Sequence, residues 1–173
     1  MAAGSTYTPI ATTTLGSAGT ITFSSISGIY TDLVLVVSNV KSVSSTPSCS
    51  LRIGNGSVDT GTNYSDTVLE GNGTSATSSR QSSQTRLETG YNTGINSNGS
   101  GAVFIFNLQN YSNTTTYKTI LWRGNIPDGT ASGVVGGVGL WRSTSAINTI
   151  EVSGSGANLA TGTVATLYGI QAA

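Results

Sequence analysis

The chain has no histidine, one cysteine and only fourteen charged residues, seven acidic and seven basic, in 173. Each scarcity removes a class of chemistry. Nucleophiles, proton shuttles and metal ligands come mainly from His, Cys, Asp, Glu and Lys. Without histidine no Ser–His–Asp or Cys–His site exists, because no imidazole base is present. A single thiol makes neither a zinc site nor an intramolecular disulfide, and Cys49 reads as a small buried hydrophobe. Net charge is zero, and the five arginines are scattered at 52, 80, 86, 123 and 142, which argues against a nucleic-acid partner. The longest apolar run, 33–37, is too short to span a bilayer. Residues 1–14 lack the basic and apolar regions of a signal peptide, so neither a membrane partner nor export is expected.

What the chain does contain is Gly, Ser and Thr, together 76 of its 173 residues. Threonine suits strands because its β-branched side chain fits a pleated surface. Glycine, asparagine and serine supply turns. Strong helix formers are few, with two Lys, three Glu and one Met. The balance predicts an all-β chain, and its length suits one domain able to bury a core. Low net charge weakens colloidal repulsion, which suits a protein held in an assembly.

Residues 1–14 are polar and contain Pro9, and they read as an N-terminal arm or a lone edge strand ahead of a single domain over 15–173. Alternation then marks strands at 20–23, 48–53, 102–109, 117–124, 133–142, 146–154 and 163–170. The run 32–40 is apolar on both faces, as a central strand would be. Two weaker strands are expected at 64–70 and 84–90, with an exposed loop over 72–83 between them. Turns are expected at Asn55-Gly56, Asn72-Gly73, Asn98-Gly99 and Pro127-Asp128-Gly129. The glycines of 133–142 mark a bulge or a close backbone approach. A single helical turn is expected near 157–160. Eight to ten short strands without a helical period predict an antiparallel β-sandwich, jelly-roll-like.

Candidate chemistry is sparse. No calcium-loop run of carboxylates around a glycine occurs, although Asp59, Asp66 and Asp128 could meet in space. Asp32 and Glu151 abut apolar strand residues and are expected to cap strand ends or meet an arginine. No carboxylate pair stands out for sugar hydrolysis. No catalytic residue, metal or cofactor is expected. The two Trp-Arg dipeptides, Trp122-Arg123 and Trp141-Arg142, admit two readings. The indoles stack on sugar rings while the arginines donate to hydroxyls, or they are core or interface anchors.

Three segments carry a resemblance. They are Tyr7-Thr-Pro-Ile-Ala-Thr-Thr-Thr-Leu15 with Tyr30-Thr-Asp-Leu-Val-Leu-Val36; Gln109-Asn-Tyr-Ser-Asn-Thr-Thr-Thr-Tyr-Lys-Thr119; and Gly139-Leu-Trp-Arg-Ser-Thr-Ser-Ala-Ile-Asn148 with Leu167-Tyr-Gly-Ile170. Together they resemble small structural proteins of tailed-bacteriophage particles, marine and cyanobacterial phages among them. The resemblance implies a non-enzymatic virion protein, a capsid decoration or cement protein that stabilises the head by binding its outer surface. The major capsid protein or another virion protein would be its partner, with homo-oligomers, trimers included, in keeping with the symmetry of such particles. The polar arm 1–14 would serve as a tether. The alternative is a tail-fibre or appendage protein, or a glycan-binding module, reading host-surface carbohydrate through Trp122, Trp141 and the 72–101 loop. The resemblance transfers no functional residue.

Overall fold

A computed structural model of the chain describes residues 6–44, 48–90, 95, 100–127 and 132–171. Among these residues there are thirteen strands and no helix. Numbered in chain order, eight of them form one antiparallel sheet. In spatial sequence these are β1 (Tyr7–Thr14), β13 (Val164–Ile170), β3 (Asp32–Val40), β9 (Ala102–Gln109), β10 (Lys118–Pro127), β11 (Ser132–Trp141), β6 (Tyr64–Gly71) and β7 (Ala76–Gln84). The smaller sheet runs β2 (Ile21–Phe23), β12 (Thr149–Gly154), β4 (Cys49–Asn55) and β5 (Ser57–Val58), and β8 (Leu87–Glu88) also pairs with β4. The chain is therefore an all-β antiparallel sandwich.

Period-two alternation decides which face of each strand is buried. In β9 and β10, Phe104, Phe106, Leu108, Ile120 and Trp122 point inward, as do Leu33, Leu35 and Val37 of β3. The small sheet answers with Ile21, Phe23, Leu51, Ile53, Ile150 and Val152. Each such side chain contributes about 1.5–3 kcal/mol by leaving water. The Asn55-Gly56 turn closes the β4–β5 hairpin, with Gly56 at φ +78°, where only glycine is unstrained.

The glycines of β11 make room for neighbours. Pairing between β10 and β11 is unbroken from Lys118↔Trp141 to Pro127↔Ser132, so the strand carries no bulge. The expectation of bulge or close approach resolves to close approach. The Trp122 indole lies over Gly137, and the Leu87 side chain lies over Gly139.

Of the two readings of the N-terminal stretch, the edge strand is the one residues 7–14 adopt, as β1 paired along β13 from Tyr7↔Ile170 to Thr14↔Val164. Alternating threonines prefer extended backbone, and the pairing satisfies it; residues 1–5 lie outside the described residues. Two other local expectations are corrected. The stretch 72–83 is not one exposed loop. A turn at Asn72 leads into β7, which pairs with β6 from Tyr64↔Gln84 to Gly71↔Ala76. That strand is nearly all serine, threonine and glutamine because it lies at the sheet's edge, so the apolar alternation that marks buried strands is missing. Residues 157–160 form no helical turn, and Leu159 instead bridges to Gly19 and Ser42 and is fully buried. The turn expected at 98–99 and residues 128–129 of the turn after Pro127 lie outside the described residues, while Pro127 itself ends β10.

Candidate functional site

The two outer faces of the sandwich differ sharply in chemistry. On the small sheet the outward row is polar and closed within the chain. Arg52 Nη1 meets Glu151 Oε1 at 3.1 Å, Arg86 Nε meets Glu88 Oε1 at 2.9 Å, and Ser50 and Ser153 share a 2.9 Å hydroxyl contact. Glu151 thus meets an arginine, as its sequence position suggested. On the large sheet the outward rows of the central strands mix apolar side chains with a few polar ones, Asn107 and Arg123 among them. Leu121, Val134, Val138 and Leu69 are 43%, 65%, 39% and 64% exposed, and Val36 and Ile105 beside them are half-buried.

Strand register explains how this face arises. Across the sheet, Val36 pairs with Ile105 and Ile105 with Arg123, and all three point away from the core. One row further, Asn107, Leu121 and Val138 line up in the same way, and Val34 at the end of that row is buried. At the β1–β13 end, Tyr7 packs edge-on against Tyr168 with ring centroids 6.2 Å apart. A groove of about 250 Å³ on this face is lined by Val103, Ile105, Arg123, Gly124, Asn125 and Val134. Arg123 is exposed and makes no ion pair or hydrogen bond among the described residues. At the end of the face, Asp32 Oδ1 accepts a 2.7 Å bond from Asn110 N, which caps the start of β3.

The four residues singled out from the sequence are not brought together. Trp122 and Arg123 are adjacent in a strand and so point to opposite faces. Trp122 is 4% exposed, and its Nε1 donates to Thr89 O at 3.4 Å. Trp141 is 3% exposed, and its Nε1 donates to Asp59 Oδ2 at 2.8 Å. The Arg142 guanidinium donates to Thr62 O at 2.6 Å and Ser65 Oγ at 3.1 Å. Neither indole offers a ring face on which a sugar could stack. The anchor reading of the tryptophans is the one their burial supports.

Asp59 is the hub beneath Trp141. Burial pushes its carboxyl pKa up, but donors from Trp141, Asn63 and Gly61 outweigh that and hold it below the usual carboxylate range. Asp66 takes the Glu88 amide instead, so Asp59 and Asp66 serve different local networks; Asp128 lies outside the described residues. Lys118 is buried, donates to Thr116 O at 2.8 Å and Thr144 O at 3.2 Å, and has its amine pKa lowered by burial. These networks tie loops to strands.

The outer-face residues were missed as a site, yet a signal existed. The run 32–40 is apolar on both faces, and so is 103–108. Only one face of each strand is consumed by this core.

Compared with protein-family models, with curated proteins and with solved structures, the chain matches none.

Proposed function

We propose that this chain is a non-enzymatic structural protein of a tailed-phage particle, a decoration or cement protein of the head. It acts by contact area, reinforcing the shell rather than transforming a substrate. The observation that carries the reading is the apolar, uncovered outer face of the eight-stranded sheet. Its apolar part runs from Val36 on β3 to Leu69 on β6, four strand spacings or about 19 Å, and about 20 Å along the strands, on the order of 400 Å². Exposed apolar patches above a few hundred Å² mark contact surfaces. The paired charges of the opposite outer face suit a surface left in water. The resemblance in the three segments quoted above supplies the phage setting.

The test is a reconstruction of intact particles with and without the gene. Density for this sandwich on the outside of the head, missing from the deletion particles, is the expected result. Deletion heads should also release DNA at lower temperature. Density confined to the tail, or no copy on any particle, overturns the reading.

A further inference from the structure

We propose that the outer face of the large sheet is closed by a second copy of this chain, in a twofold dimer where Arg123 of each copy pairs with Asp32 of the other. The proposal rests on the reading of this face as an assembly surface, and not on which particle carries it.

The first argument is charge. Arg123 stands in the apolar field without an ion partner, and covering an unpaired guanidinium is costly. The same face carries its complement. Asp32 points outward on β3, half-exposed, and uses only Oδ1, for the Asn110 amide. Elsewhere Glu88 and Glu151 meet arginines, Asp59 accepts from Trp141, Asn63 and Gly61, and Asp66 accepts from the Glu88 amide.

The second argument is geometry. Asp32 pairs with Gln109 and Arg123 with Ile105, so the two groups lie two strands and four residues apart. That separation is about 16 Å, too far for an ion pair within one copy. Asn107 lies midway between them on β9. A twofold axis in the plane of the interface, crossing at Asn107, exchanges the two positions. Both Arg123–Asp32 pairs then form at once, as a self-complementary interface requires. The same operation sets the two Asn107 amides face to face.

The test is sedimentation of the purified full chain with charge-reversal variants. Wild type is expected at twice 17.5 kDa. Arg123→Asp and Asp32→Arg should each weaken dimerisation by at least about 30-fold, and the double exchange should restore it. Asp32→Asn keeps an acceptor for the Asn110 amide while removing the charge. It should weaken the dimer while leaving the melting temperature unchanged at concentrations where both proteins are monomeric, which separates loss of the pair from loss of the fold. A wild-type monomer at about 100 µM, a trimer, or a dimer indifferent to all four variants overturns the proposal. A monomer that still decorates heads leaves the particle reading intact, whereas an exchange-sensitive dimer found on no particle sinks that reading alone.

Discussion

Gly137 of β11 lies directly opposite Trp122 of β10, and the indole fills the space where a side chain at 137 would be. A Cβ built at Gly137 would come within 2.9 Å of Nε1 and closer still to the ring carbons. Trp122 is held on its other side by Phe106, at a centroid distance of 6.4 Å, so it has little freedom to retreat. Gly137→Ala should therefore cost about 1–3 kcal/mol by overpacking. Gly136, one residue earlier, faces outward, and its added Cβ would meet only Trp122 O at 3.8 Å. Gly136→Ala should be close to neutral. Denaturant titration followed by tryptophan fluorescence compares the two, and equal effects would contradict this packing.

Asp59 makes stability depend on acid. Its folded pKa lies below the ordinary 3.8, so its contribution is present above that value and is lost as pH falls through the folded pKa. Asp59→Asn should be less stable than wild type near neutral pH, and the gap should close on acidification below about pH 4. Melting temperatures of both proteins across that range measure this. A gap that stays constant down to about pH 2 would argue that the carboxylate charge plays no part.

Cys49 should be chemically silent in the folded chain. Burial pushes its thiol pKa up to about 12, only partly offset by the Ser50 amide, and no surface of the residue is exposed. A disulfide reagent at about pH 8 should modify it only through unfolding, and completely in concentrated guanidinium. Rapid labelling under native conditions would show that β4 opens locally.

The outer face should tolerate polar substitution as far as folding is concerned. Leu121 is 43% exposed, and Leu121→Ser should shift stability by less than about 1 kcal/mol at concentrations where the chain is monomeric. Phe106, 1% exposed on the neighbouring strand, should cost about 3–5 kcal/mol when changed to alanine. Chemical denaturation of both variants checks the contrast. Comparable losses would mean that Leu121 belongs to the folding core.

Legibility followed apolar pattern. β9 falls on the residues its alternation marked, because Phe104, Phe106 and Leu108 announce a buried face. β7 carried no such mark, since an edge strand of serines and threonines is held by backbone pairing to β6 rather than by side-chain burial. Trp122-Arg123 looked like one recognition element in the linear chain, yet a strand separates neighbours onto opposite faces. Asp32 suggested a strand cap or an arginine partner, with no sign of which arginine. Its place on the same face as Arg123, two strands away, depends on which strands pair, and that is a long-range property.

The sequence by itself determined the class of structure: abundant Thr and Gly, few helix formers and period-two alternation leave extended strands as the economical backbone. Its lack of histidine likewise determined which catalytic sites are ruled out. Only the tertiary structure decided which of the two apolar faces of β3 and β9 the core would consume. Burial of one face is set by the small sheet packed against it, so the face left over, with Arg123 and Asp32 upon it, emerges from the pairing order and not from any local run of residues.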